Sequence, residues 1–275
     1  MSSELFFLAV VAAASATNPY VGYPVPFYPN YTNGPIEATR NQFPYQVSLQ
    51  WGINKLTHFC SGAILSASWV LTSAHCASVV PPYGDFVVKT GKLDLTVTEN
   101  AEQTATVKQV IIHENYTGDS GLHDVALLKL SKPILLNGTA KAIALSTTSS
   151  PSGSGRMLSW GSNWRMYTPR MPDKLQASNL NTLVLSTCQN LLNNITSTTP
   201  RLSGYQFCTG SLPGGFSACD SEPGAPFIQY YGSNGPYLMG VSSWGVVPCA
   251  ISNAPIIFTH LYYYKSWITS QQAAN

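Results

Sequence analysis

Short apolar and β-branched runs recur along the chain from about Glu37 onward, each bounded by turn-forming residues. They are Tyr45–Leu49, Gly62–Leu65, Trp69–Thr72, Phe86–Val88, Val107–Ile112, Val125–Leu130, Leu183–Leu185, Tyr237–Val241 and Ile256–Phe258. Many short strands at this spacing predict an all-β barrel or sandwich, either one domain or two packed barrels, over about 240 residues. The tail from Leu261 to Gln272 lacks Gly and Pro and predicts a closing helix. No internal sequence repeat is evident. Ahead of the strands, residues 18–33 are rich in Pro and Tyr without helical or alternating periodicity, the pattern of an extended arm. Residues 1–16 read as a secretory signal: an apolar stretch from Leu5 to Ala14, then Ala14-Ser15-Ala16, small enough for cleavage. Glu4, with no Lys or Arg nearby, is its one irregularity. The expected division is 1–16 leader, 17–35 arm and 36–275 folded domain.

Composition narrows the function classes. The 275 residues include 14 Lys and Arg against 12 Asp and Glu, so charged side chains make up 9%, where a soluble domain carries roughly a quarter. Disorder is excluded by 44% hydrophobic and 11% aromatic residues. No apolar run after the leader is long enough to span a bilayer. A net charge of +2 with no basic cluster leaves nothing to track a phosphate backbone, which excludes nucleic-acid binding.

Six cysteines in a chain with a leader suggest three disulfides, and spacing alone leaves their pairing open. No C-x-x-C or H-E-x-x-H pattern supports a metal, and none is expected. Four N-x-[ST] sequons, at Asn30, Asn115, Asn137 and Asn194, fit the same extracellular compartment.

Two neighbourhoods have catalytic character. One runs from Cys60 to Cys76 and contains T-S-A-H-C with His75; the other is H-D-V-A-L-L-K-L, His123 to Leu130, with Asp124. A histidine oriented by a buried carboxylate is the general-base half of a nucleophilic triad. One His and one Asp alone would as readily be a satisfied core pair.

The wider text decides between these. Q-F-P-Y-Q-V-S-L-Q (Gln42 to Gln50), T-S-A-H-C, H-D-V-A-L-L-K-L, the Trp160-Gly161 turn, the Cys208 to Cys219 run and Ser243-Trp244-Gly245 before Cys249 stand in order. From about Glu37 to Gln272 the chain resembles the chymotrypsin-like serine proteases. The resemblance implies an all-β fold of two packed six-stranded antiparallel barrels with a C-terminal helix. It also implies an active site between the barrels, no cofactor, and disulfides Cys60–Cys76, Cys188–Cys208 and Cys219–Cys249.

At the nucleophile the chain departs from the family. Family members read C-x-G-D-S-G-G-P; this chain reads Cys219-Asp220-Ser221-Glu222-Pro223-Gly224-Ala225-Pro226. Cys219 and Pro226 keep the family separation, so the serine position falls on Pro223, which carries no nucleophilic atom. The family's oxyanion hole uses the N–H of that serine and of the residue two before it, here Pro223 and Ser221. Proline has no N–H, and losing one such donor costs about 10²–10³ in rate. Ser221 would have to move roughly 5–7 Å along the chain to replace the missing nucleophile.

Other departures agree. Family activation frees an amine that pairs with the aspartate before the serine; that position is Glu222, and no Lys or Arg occurs between Thr17 and Thr39. Cleavage after Tyr31 by another protease is the remaining route. The specificity pocket implied by the resemblance has Ser217 at its base, which favours aromatic side chains, and Ser243, Trp244 and Gly245 along its wall. Ile256 stands where a lining glycine is expected and should fill the pocket. Ser243 also supports the buried carboxylate. The remaining histidines (His58, His113, His123, His260) carry no triad signature, and core or surface roles are expected of them. Glu99 and Glu102 fall where some relatives bind calcium, but the ligand set is too sparse for a site.

The expectation is a secreted serine protease homologue, monomeric, that binds a protein: a protease, an inhibitor or a shielded substrate. All six cysteines fall in the protease-like region, so no clip-type module is expected. The competing readings are a residual chymotrypsin-like endopeptidase using Ser221 and a structural secreted glycoprotein.

Overall fold

The computed structural model describes residues 35–118, 121–161, 163–165, 168–170, 173–195, 201–210, 222–231, 235–246 and 254–275. Six strands form the first barrel: β1 (Gln46–Gly52), β2 (Thr57–Ser66), β3 (Trp69–Thr72), β4 (Asp85–Thr90), β5 (Gln103–Ile112) and β6 (Ala126–Leu130). They close, all antiparallel, in the order β1-β2-β3-β6-β5-β4. Six more form the second: β7 (Ser154–Ser159), β8 (Gln176–Leu183), β9 (Gln206–Thr209), β10 (Pro226–Tyr230), β11 (Pro236–Gly245) and β12 (Ile256–His260). These close as β7-β8-β9-β12-β11-β10. Position for position the two barrels share one strand order, so the two-barrel expectation holds and the sandwich does not. Among the described residues three helices decorate them: α1 (Ala74–Ser78), α2 (Leu185–Ile195) and, after a 3-10 turn at Leu261–Tyr264, α3 (Lys265–Ala274).

Adjacent residues of a strand point to opposite faces, and here both faces are often buried. Ala63, Leu71, Leu127, Leu158 and Ile228 belong to one cluster with Trp160, Leu261 and Ile268, the seam where the barrels and the C-terminal helix meet. Their neighbours Ile64, Val70 and Leu128 fill the first barrel, with Val47, Leu49 and Val88. Met157 and Phe227 fill the second, with Phe207, Met239 and Phe258. Two-sided burial explains the continuous apolar runs in β3 and β6. At about 1.5–3 kcal/mol for each large side chain withdrawn from water, the seam stabilises the pairing of the barrels as the interiors stabilise each barrel.

Cys60 pairs with Cys76, tying β2 to α1, and Cys188 with Cys208, tying α2 to β9, both as the resemblance implied. Cys219 and Cys249 lie outside the described residues. The run Leu183–Leu185 is not a strand of its own. Leu183 ends β8 and Leu185 begins α2, because the disulfide and the apolar cluster Cys188, Leu192, Leu202, Cys208 and Ile257 reward a helix there.

Candidate functional site

Two polar clusters meet the seam, each built on a buried carboxylate. The first begins with Ser73, which caps α1 by accepting the N–H of Cys76 at 3.2 Å and so orients His75 in the first turn. The His75 main-chain N–H donates to Asp124 Oδ1 at 2.8 Å, and Ser243 Oγ, from β11, donates to Oδ2 at 2.6 Å. Thr259 Oγ1 donates to the Asp124 carbonyl at 2.8 Å, so β12 holds the backbone of the same residue. Burial pushes the Asp124 carboxyl above the usual range, against the downward pull of Ser243, the N–H groups of His75 and Ala74, and the charge of His75. His75 itself is half-buried. The structure therefore brings together His75 from α1, Asp124 from the loop just ahead of β6, and Ser243 from β11. Such a cluster can hold and orient an imidazole for proton transfer.

What faces it is the turn 222–225. Pro223 lies against the helix that carries His75: its carbonyl oxygen is 3.1 Å from Cys76 Sγ and accepts the N–H of Ser61 at 3.3 Å. Gly224 has φ +78°, and a Cβ there would lie 2.3 Å from both the Ser61 carbonyl and Thr72 Oγ1. Only glycine fits. The Gly224 N–H donates to the Ser242 carbonyl at 2.9 Å, which wedges the turn between β2 and β3 of one barrel and β11 of the other. Residue 223 brings neither a hydroxyl nor an N–H to this position.

The second cluster surrounds Glu222, whose side chain is 1% exposed. Its Oε1 accepts from Ser61 Oγ and lies 2.9 Å from His58 Nε2, off the alignment of a good hydrogen bond. Its Oε2 accepts the N–H of Trp160 at 2.5 Å. His58 Nδ1 shares a proton with Ser48 Oγ at 2.8 Å, Gln50 Nε2 donates to the same oxygen at 3.0 Å, and Gln46 Nε2 donates to Ser61 Oγ at 2.8 Å. The Trp160 ring meets His58 edge-on at 5.2 Å. His58 takes the core role expected of it, while Ser48, Ser61, Gln46 and Gln50 carry no motif in the sequence. The signal was present in β1: Gln46, Ser48 and Gln50 recur at period two on a strand buried along nearly its whole length, and buried polar groups need polar partners.

The other predicted residues fall as follows. Trp244 and Gly245 end β11, half-buried. Ile256 opens β12 and packs inside the second barrel among Met157, Phe207, Ala225 and Phe258. Ser217 and Ser221 lie outside the described residues, as does Asn30. Asn115, Asn137 and Asn194 are exposed. Glu99 and Glu102 are both engaged. Glu99 accepts from the N–H groups of Leu93 and Asp94 and pairs with Arg40, while Glu102 pairs with Lys89 and the buried Lys92. Burial works against the Glu102 charge, but hydrogen bonds from Lys89 and Lys92 outweigh it and hold its carboxyl below the usual range. The Lys92 ammonium also donates to the Val97 carbonyl, so this loop carries its own cation. No helix among the described residues is long and apolar enough to cross a membrane.

Comparison with known proteins adds a frame to this geometry. The trypsin family model matches residues 33–268. Trypsin-3 of Salmo salar is 33% identical over 242 residues, covering 88% of this chain and 93% of that protein. Trypsin of Sus scrofa is 31% identical over 242 residues, covering 88% and 96%. Trypsin-1 of Salmo salar is 32% identical over 273 residues, covering 98% of this chain and 99% of its own.

Proposed function

The chain belongs to the trypsin family, and from that premise we propose that it is a secreted, non-catalytic homologue that acts by binding protein. The observation that carries this reading is Pro223 at the place of the nucleophile. An acyl-enzyme needs a hydroxyl or thiol there, and stabilising its oxyanion needs the N–H that proline lacks. The turn is held by Ser61 and Ser242 on either side, which supports a settled conformation rather than one waiting to admit Ser221. The apolar stretch and small residues at 1–16 support a leader, followed by the arm at 17–35 and a protease-like domain at 36–275. The third disulfide, Cys219–Cys249, and glycans on the four sequons belong to the same proposal.

On this reading the barrels are a rigid scaffold and their loops carry the contacts. The partner is a protease, an inhibitor or a substrate that the protein shields. A second reading, endopeptidase activity through Ser221, draws on the preserved cluster of His75, Asp124 and Ser243.

Fluorophosphonate labelling of the purified mature protein, beside an active trypsin and with the chain both intact and cleaved near Tyr31, tests the choice. The expected result is no labelling of this chain under conditions that saturate the trypsin. Covalent modification of Ser221 would overturn the proposal in favour of the enzyme. Pull-down from the secreted fluid then tests binding, with a saturable partner expected.

A further inference from the structure

His113 and His123 lie outside both carboxylate clusters, and the structure stacks their rings face to face. The centroids are 4.8 Å apart and the planes 12° from parallel. His113 follows β5. His123 directly precedes Asp124 and is held at φ +63°, a conformation uncommon for a residue other than glycine. The C-terminal segment closes over the pair. The Trp267 ring lies 4.9 Å from His113, the Tyr264 ring meets both imidazoles edge-on, and Tyr264 Oη is 3.1 Å from His123 Nδ1. The ring of Tyr205, ahead of β9, lies 5.3 Å from that of His123. One stack thus joins the first barrel, the second barrel and the start of α3.

The hydrogen bonds specify its protonation. His113 Nδ1 accepts the N–H of Asn115 at 3.2 Å, so the ring carries its single proton on Nε2. A second proton must enter at Nδ1 and displace the Asn115 donor. Among the described residues the anion paired with His113 is Glu114, whose Oε2 is 4.0 Å from His113 Nδ1 and accepts the Trp267 Nε1–H at 2.9 Å. Protonating His113 therefore offers Glu114 a cation in competition with Trp267, while a charge on either ring repels a charge on the other. Among the described residues, the titratable groups facing the pair are Glu114, Tyr264, Tyr205 and, next in the chain, Asp124.

We propose that the His113–His123 stack is an acid-sensitive latch: neutral, it docks α3 through Trp267 and Tyr264; protonated, it draws Glu114 from Trp267 and loosens the helix. Burial lowers the His113 imidazole below its ordinary value, and the neighbouring His123 adds to this against the pull of Glu114. A histidine harder to protonate when folded contributes docking stability at neutral pH. That stability is lost as pH falls from the ordinary imidazole range through the lowered value of His113.

Amide hydrogen exchange of the full chain at about pH 7.5 and about pH 5 tests the latch. After correction for intrinsic rates, protection of α3 should fall about tenfold more than that of β6 on acidification. Glu114→Gln, which can still accept from Trp267 but not be drawn to an imidazolium, should abolish most of that difference. His123→Asn tolerates the positive φ and removes the like charge, so the step should move to higher pH. In the unaltered protein, the His113 imidazole signal should titrate below the ordinary imidazole value. A His113 signal that titrates at the ordinary imidazole value would overturn the proposal. So would α3 protection that falls no more than that of β6, or a step that neither variant moves.

Discussion

Asp124 and Glu222 are both buried carboxylates with a histidine and a serine beside them, yet the two clusters do opposite things. Around Asp124 one partner is a main-chain N–H, one is the Ser243 hydroxyl, and His75 is only partly buried. Around Glu222 nearly everything is enclosed: the His58 side chain is 4% exposed, and Ser61, Ser48, Gln46, Gln50 and the Trp160 N–H complete a network with no exit. The same three residue types thus make a cluster able to exchange protons where solvent reaches the imidazole, and a structural lock where it does not. Pro223 sits between them, next to Glu222 and against the helix of His75.

Three substitutions probe that contrast. The largest effect should come from Glu222→Gln. The amide nitrogen cannot accept from Ser61 or Trp160, so one buried donor is left unmet, and denaturant unfolding should show a loss of about 2–3 kcal/mol. A loss near zero would mean the network is not a lock. Asp124→Asn should cost less, within about 1 kcal/mol near neutral pH, because burial already disfavours the charge that is removed.

The pH dependence gives the sign for Asp124. A carboxyl raised in the folded state binds its proton ahead of the unfolded chain. The penalty for burying the charge is therefore present above the folded value and relieved as pH falls from there toward the ordinary carboxylate value. Asp124→Asn should lack that relief, so its stability difference from the parent should grow against the variant over that window. Denaturant midpoints measured across the acid range read this directly, and a parallel pair of curves would refute it.

The smallest effect on stability belongs to Pro223→Ser, about 0.4–1 kcal/mol through the freer unfolded chain. Its value is chemical. Serine at 223 restores both the hydroxyl and the N–H that proline lacks, so with the Asp124 cluster competent the variant should acquire fluorophosphonate labelling, slower than an active trypsin because Glu222 stays tied to Ser61 and Trp160. No labelling at all would show that the His75 cluster is not competent. Labelling at the full rate would show that the Glu222 lock imposes no barrier.

The two barrels share a strand order, but only the first was legible strand for strand in the sequence. Each of its six strands overlaps an apolar run, because strands such as W-V-L-T and A-L-L-K-L are buried on both faces and need large side chains throughout. In the second barrel β11 and β12 were read and β8 was caught only at its last residue. β7 (S-G-R-M-L-S), β9 (Q-F-C-T) and β10 (P-F-I-Q-Y) were not. These strands interrupt their large apolar residues with small or polar ones. Gly155, for example, leaves room for the Phe227 ring, which would lie 2.3 Å from a Cβ there. Packing of that kind leaves no periodic trace. The resemblance to known proteases supplied the second barrel where pattern did not.

By itself the sequence determined the family, the strands of the first barrel, the closing helix and the chemical poverty of residue 223, since these depend on residue identity and on spacing along the chain. Only the tertiary structure decided what surrounds Glu222 and what stacks on His113. Those sites are assembled from strands and loops far apart in sequence, and whether a buried histidine or carboxylate is a catalyst, a lock or a latch depends on which partners and how much water the fold brings to it.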